Sequence, residues 1–549
     1  MSPASADLVI RGPVYTSVPA SRWTEAVAIA GGRIAAAGSA GRVEEWIGSN
    51  TRVIDAAAGM VCPSFQDSHI HPDHGGLNMA RCRLDDVRGI DAYRERVAAY
   101  ARSHPDVEWI LGGGWSLDDF PGGLPHRSQL DDLVPDRPVY LPNRDGHGAW
   151  VNSRALEVAG LGSTSPDPPD GRIERDEDSS PSGALHEGAM GLVERLAPPP
   201  SAEELQEALL AAQAHLHSLG VTAWQDAHTT AATLDAYLAL AARGALTARV
   251  VGAVWWSRDR GEEQVEQLLE LRELAPRGRV RATSIKIMQD GIAENFSAGM
   301  LEPYLDAAGR PGDRRGLSFV EPGLLRRAAT RLDREGFQLH FHAIGDRAVR
   351  EALDAIEAAR SSNGPSDHRH HVAHLQVVHP DDVPRFAALG AVANAQPYWA
   401  CLDGQMRELC VPFLGPDRTT HQYPLAGLLR SGARLAFGSD WPVTTPNPLE
   451  EIQVAVTRVP FDEPDVEPFL PDERLTLEDA IDAFTAGTAF VNHLEKETGT
   501  IEEGKAADIL VLDRNLFDVN PMEIGQARVL LTLVDGRPVY TAEELGESS

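Results

Sequence analysis

Cysteine is scarce in this 549-residue chain, and the four present (Cys62, Cys82, Cys401, Cys410) are far apart with no Cys-x-x-Cys pair. That spacing gives no basis for a disulfide framework and fits reduced, packed thiols, as in a cytoplasmic enzyme. Long apolar runs are also missing, so no membrane span is expected. The N-terminus lacks a basic patch followed by an apolar stretch, so no secretory leader is expected and the location reads as cytoplasmic. Basic side chains are outnumbered, 50 against 81 acidic, for a net charge of −31. With no basic stripe, nucleic acid and anionic membrane are poor partners. A small-molecule substrate is the expected partner, and a homodimer stays open.

What is present is the composition of a folded globular protein, 42% hydrophobic and 24% charged. Its length predicts a large domain plus a smaller one. Both ends are strand-like. Asp7-Leu-Val-Ile-Arg11, Ala26-Val-Ala-Ile-Ala30 and Arg33-Ile-Ala-Ala-Ala37 flank a Gly31-Gly32 hairpin turn, and Asp508-Ile-Leu-Val-Leu512 and Val529-Leu-Leu-Thr-Leu-Val534 precede an Asp535-Gly536 turn. These ends, 1–62 and 493–549, predict one composite β-sandwich domain.

The middle, 63–492, alternates strands and helices. Ser201-Ala-Glu-Glu204 is a capping box opening a helix with Leu205, Leu209, Ala212 and Leu216 on one face, and Gly220 follows as a stop. Strands are expected at 61–71, 221–224, 248–254, 284–288, 337–342, 369–374, 391–394 and 434–437. Eight such units predict an α/β fold of the (β/α)₈ TIM-barrel type. An insertion at about 78–200 should cover the barrel mouth. Within it, the Pro-, Asp- and Ser-rich stretch 163–183 reads as an irregular, mobile loop.

His69 and His71 end the first strand, where residues two apart point the same way. Imidazole nitrogen is a common ligand for Zn²⁺ and similar ions. Lys286 lies in the fourth strand, His342 ends the fifth, His374 ends the sixth, and Asp440 follows the eighth. In a barrel these are the C-terminal strand ends where active sites form. Each residue alone has a plainer reading: His342 with His340 as core packing, His374 as one of a crowd, Asp440 as a turn residue, Lys286 as a snorkelling side chain. Together, at ordered strand ends, they read as ligands for one or two divalent ions.

Seven stretches carry a family resemblance: Pro63-Ser-Phe-Gln-Asp-Ser-His-Ile-His71, Asp145-Gly-His-Gly-Ala-Trp-Val-Asn152, Ile285-Lys-Ile-Met-Gln-Asp-Gly291, Leu339-His-Phe-His-Ala-Ile-Gly-Asp346, His370-His-Val-Ala-His-Leu-Gln376, Phe437-Gly-Ser-Asp-Trp-Pro442, and Gly499-Thr-Ile-Glu-Glu-Gly-Lys-Ala-Ala-Asp-Ile509. The chain resembles the amidohydrolase superfamily, in its amidohydrolase-3, N-substituted formamide deformylase-like branch. The resemblance implies that His69, His71 and Asp440 bind one metal, most simply Zn²⁺, and that His342 and His374 bind a second. It implies that Lys286, carboxylated by CO₂, bridges them. Ser64 stands where glycine is usual, and Ala373 where an acidic residue often precedes the histidine.

The implied activity is hydrolysis of a non-peptide C–N bond by metal-activated water, with Asp440 as general base and His147 and Asp290 as orienting candidates. N-substituted formamides or similar small apolar amides are the expected substrates, with cyclic amides, carbamates or mononuclear deamination as alternatives. A non-catalytic scaffold is disfavoured because every ligand is retained. Trp115, Trp441 and Tyr398 are the expected pocket aromatics, with Trp150 and Trp399 also near the mouth.

Overall fold

The computed structural model describes residues 5–546. Eight parallel strands form its centre: β1 (Phe65–Ile70), β2 (Val221–Thr229), β3 (Arg249–Trp255), β4 (Val280–Met288), β5 (Gln338–Ala343), β6 (His371–His374), β7 (Val392–Ala395) and β8 (Arg434–Phe437). They pair in sequence order from β1 to β8. Helices fill the crossovers, as parallel strands require. The helix Ala202–Ser218 begins with the expected capping box, Ser201 and Glu204 satisfying each other's backbone N–H groups. Its Leu205, Leu209 and Leu216 are buried, each worth about 1.5–3 kcal/mol in transfer free energy.

The barrel is drawn together at its C-terminal mouth by the segment after β8. Asp440 N–H donates to His69 O at 2.7 Å, and His71 N–H donates to Trp441 O at 2.9 Å. The buried Asp67 carboxylate accepts from Ser439 N (3.0 Å) and Ser439 Oγ (2.6 Å), and from His69 N at 3.0 Å. Gly438 permits this approach: a Cβ there would lie 2.4 Å from His69 N. Contacts that close the fold and contacts that place ligands are therefore the same ones.

The two chain ends meet in one mixed sheet. Its strand order is Arg537–Thr541, Val529–Val534, Ile509–Leu512, Met60–Pro63, Leu8–Tyr15, Trp23–Ala30, Arg33–Gly38, with Arg52–Asp55 also paired to Leu8–Tyr15. The Gly31-Gly32 turn forms as expected, with φ of +57° and +78°, values costly for residues with a Cβ. Leu8, Ile10, Ile29, Val61, Val511 and Leu533 share one apolar cluster. Arg249 of β3, 7% exposed, reaches Asp508 and, at 2.5 Å, Asp535. That network ties the terminal sheet to the barrel.

Between β1 and β2 lies a second sheet, ordered Gly171–Arg175, Pro181–Glu187, Gly148–Val151, Val139–Pro142, Ile110–Gly113, Cys82–Arg83. The expectation of an irregular loop at 163–183 is corrected here. Gly171–Arg175 and Pro181–Glu187 form an antiparallel pair with Ile173 opposite Leu185. Only a few apolar residues mark this hairpin, and its turn residues dominate the local composition. Asp176 N–H donates to Ser180 O at 2.9 Å, and Ser179 takes φ +67° to close the turn.

Candidate active site

His69, His71, Lys286, His342, His374 and Asp440 all line one cavity of about 1000 Å³ at the C-terminal mouth of the barrel. Asp440 Oδ1 lies 3.2 Å from His69 Nε2 and 2.9 Å from His71 Nε2. Lys286 Nζ is 3.2 Å from His69 Nε2. The His374 ring sits 4.7 Å from His69 and 4.4 Å from His342, centroid to centroid. The structure thus brings all six sequence-selected groups together.

Their environment sets protonation. Burial, helped by the Lys286 charge, pulls His69 down to about 3. Burial likewise pulls Lys286 down to about 7 and holds His342 and His374 well below the usual imidazole range. For Asp440 burial opposes ionisation, but the His69 and His71 imidazoles outweigh it and hold the carboxyl well below its ordinary range. Neutral nitrogens around an ionised carboxylate are the states that cation ligands require. Asp440 Oδ1 and both ring nitrogens of His374 are buried without a hydrogen-bond partner. Buried polar atoms are rarely left so, and these converge on one point. The donor set fits a divalent metal.

Supporting bonds orient the donors. His69 Nδ1 meets His340 Nε2 at 2.9 Å, and His340 Nδ1 meets Gln225 Oε1 at 2.7 Å. The amide oxygen can only accept, so His340 presents an unprotonated Nε2 and His69 donates through Nδ1. His69 Nε2 is then free to ligate, the usual arrangement behind a metal-binding histidine. His342 donates through Nδ1 to Asp290 at 3.1 Å. Asp440 (φ +57°) and His374 (φ +76°) both occupy the left-handed region, backbone strain of the kind that clusters at functional sites.

Asp290 is fully buried behind His342 and is not among the cavity-lining residues. It accepts from the backbone N–H groups of Ile344 (3.0 Å), Gly345 (2.9 Å) and Gly299 (2.9 Å). From there it can position His342 but cannot reach a ligand in the cavity. His147 does line the cavity, its ring 5.4 Å from His342. Its Nδ1 lies 3.0 Å from Glu187 Oε1. Burial pulls His147 down, but Glu187 outweighs it and raises the imidazole above its ordinary value.

The pocket aromatics require correction. Trp115 is 1% exposed, donates from Nε1 to Leu141 O at 2.7 Å and packs edge-on against Phe120, inside the inserted domain. Trp441 follows inward-facing Asp440 and turns the other way, its ring against Gly75 and 5.6 Å from His215. Neither lines the cavity, nor does Tyr398; the neighbouring Trp399 does, stacked 5.4 Å from His374. Trp150 is likewise buried in the inserted domain. Residues that the sequence reading missed are Glu187, His74, His228, Trp255 and Tyr423, all in the cavity wall. Glu187 ends the strand hidden in the misread hairpin, whose stretch Pro181–Glu187 carries no alternating apolar pattern to mark it.

Imidazoles, a lysine and a carboxylate converging at the mouth of a parallel eight-stranded barrel define a metal-dependent hydrolase. Residues 52–540 match the amidohydrolase family model, and the chain belongs to that family. It is a hydrolase acting on C–N bonds other than peptide bonds. Protein LONG AFTER FAR-RED 3 of Arabidopsis thaliana is 32% identical, covering 97% of this chain and 91% of the relative. N-substituted formamide deformylase of Arthrobacter pascens is 27% identical, covering 96% and 97%. A metal-dependent hydrolase of Pyrococcus furiosus superposes with a TM-score of 0.70 at 27% identity, covering 94% and 99%.

Proposed function

We propose that this chain hydrolyses N-substituted formamides or similar small apolar amides, using Zn²⁺ held by His69, His71, Asp440, His342 and His374, with Lys286 carboxylated between them. The observation that carries the metal reading is the buried, unpartnered convergence of His374 and Asp440 on the His69–His71 pair. The substrate class rests on the similarity to the Arthrobacter pascens deformylase. When bound, one or two such ions supply Lewis acidity toward a carbonyl and acidify water.

The protein's own groups do the rest. Asp440 accepts the proton of the attacking water and returns it to the departing nitrogen, a task suited to an ionised carboxylate inside the cavity. His147, steadied by Glu187, orients the substrate carbonyl, and Asp290 fixes the ring of His342. Trp399, Trp255, Met288 and Ile292 give the cavity apolar wall, matching an apolar substituent on nitrogen. Lys286, near neutrality at its lowered value, has the free amine that reacts with CO₂.

The same reading makes 1–62 and 493–549 a composite β-sandwich, its interior the shared apolar cluster of the terminal sheet. It takes the enzyme as cytoplasmic and acting on a small molecule, without nucleic acid or membrane. No helix among the described residues is long and apolar enough to cross a membrane. Elemental analysis combined with a hydrolysis screen over N-formyl, N-acetyl and cyclic amides tests the proposal. Formate release, abolished by chelation and restored by Zn²⁺, is expected. Turnover confined to cyclic or N-acetyl amides would reassign the substrate.

A further inference from the structure

A second group of ligating side chains faces the same cavity beside the six-residue centre. Asp73 and His74 lie in the first turn of the helix Pro72–Ala80, and His228 is near the end of β2. One ligand atom from each lies within 4.8 Å of the other two. The His74 ring stacks on His71 at 5.6 Å and lies 5.1 Å from His228. Trp255 abuts His228 edge-on at 4.6 Å. His74 and His228 both line the cavity.

Two observations separate this group from a hydrogen-bonded structural cluster. His228 Nδ1 is buried and has no partner, so a native nitrogen is left without the bond that burial normally demands. Asp73 is buried and anchored by Thr233 Oγ1 (3.0 Å) and by His74 N–H (2.8 Å), yet a carboxylate has about four lone-pair sites, which leaves capacity for a further ligand. The contrasting group is Asp333 with His368 and His370. There both imidazoles bond Asp333 Oδ1, at 2.7 and 2.9 Å, Ser366 Oγ donates to the same oxygen at 3.1 Å, and Asn363 Nδ2 donates to Oδ2 at 2.7 Å. That cluster is saturated; the one at Asp73 is not.

We propose that Asp73, His74 and His228 form an additional divalent transition-metal site on the cavity wall, separate from the centre built on His69, His71 and Asp440. Two imidazoles and one carboxylate leave coordination positions open, the pattern of mononuclear sites that take an exogenous ligand. Because His74 and His228 line the cavity, an ion held there would add an anchoring point for an oxygen or nitrogen donor of the substrate.

Zn²⁺ titration of chelator-treated, full-length protein, by calorimetry with elemental analysis, tests the site. His74 is exposed and its ring makes stacking contacts, so His74→Ala should retain the wild-type circular dichroism and urea midpoint. Expected are loss of one Zn²⁺ equivalent in His74→Ala and in His228→Gln, or its weakening by at least about 10–100-fold, the loss that even supporting-residue changes cause. Asp440→Asn should keep that equivalent while losing an inner one. Equal stoichiometry and affinity in wild type and His74→Ala would overturn the proposal, as would loss of every equivalent in Asp440→Asn. Absence of amide hydrolysis with the His74-dependent equivalent intact would count against the substrate reading alone.

Discussion

Replacing Glu187 with glutamine keeps the shape of a buried side chain and removes its charge. The Glu187 carboxylate accepts from His147 at 3.0 Å, Ser297 Oγ at 2.6 Å and Asn295 Nδ2 at 3.1 Å. Burial opposes its ionisation, but the His147 charge and these bonds outweigh it and bring the carboxyl from 4.5 down to about 2. That fall corresponds to roughly 3 kcal/mol at about 1.4 kcal/mol per unit, close to the 3–5 kcal/mol seen when one partner of a buried pair is removed.

The sign on each side of the pair differs. A depressed carboxyl contributes stability that is complete above about 4.5 and is lost as pH falls toward about 2. The raised His147 contributes stability that is complete below its ordinary value of 6.5 and is lost as pH rises through its higher folded value. The stability difference between wild type and Glu187→Gln should therefore peak between about pH 4.5 and 6.5 and shrink on both sides. Urea unfolding at a series of pH values measures it. In the same variant kcat should fall by about 10²-fold, the lower end for loss of a group aimed at the carbonyl oxygen. A flat pH profile with a difference under about 1 kcal/mol, the size of an ordinary substitution, would refute the pairing.

Lys286 is one of three lysines in the chain, with Lys496 and Lys505. Protein equilibrated with ¹³C-bicarbonate should show one carbamate carbon resonance that Lys286→Ala lacks; none in fully metallated wild type would exclude carboxylation. Gly438→Ala puts a Cβ 2.4 Å from His69 N and 2.7 Å from Asp67 Oδ1. It should cost about 1–3 kcal/mol in denaturant unfolding and lower Zn²⁺ content by displacing His69. Asp508→Ala leaves Arg249 without one of its buried partners and should destabilise by about 3–5 kcal/mol. Faster proteolysis of the terminal sheet, with the barrel strands protected longer, would report the broken link.

Local pattern alone made much of this protein legible. Short continuous apolar runs located the eight barrel strands, which are buried on both faces, and a capping box located the helix Ala202–Ser218, because those preferences act within a few residues. His-x-His at a strand end, with later histidines, lysine and aspartate at or near other strand ends, marked the six groups that share the cavity, because a parallel barrel sends all such ends to one mouth. The hairpin holding Glu187 escaped notice, since its partners lie far along the chain and its own composition is that of a turn. Trp115, Trp441 and Tyr398 were misplaced because sequence places an aromatic near the mouth without deciding which way its ring turns. Likewise, His340 supports His69 across 271 positions, and His228 reaches Asp73 only through the packing of β2 beside β1. Short-range stereochemistry determined the elements and their ends; which side chains share the cavity was decided by closure of the barrel, which brings distant segments within bonding distance.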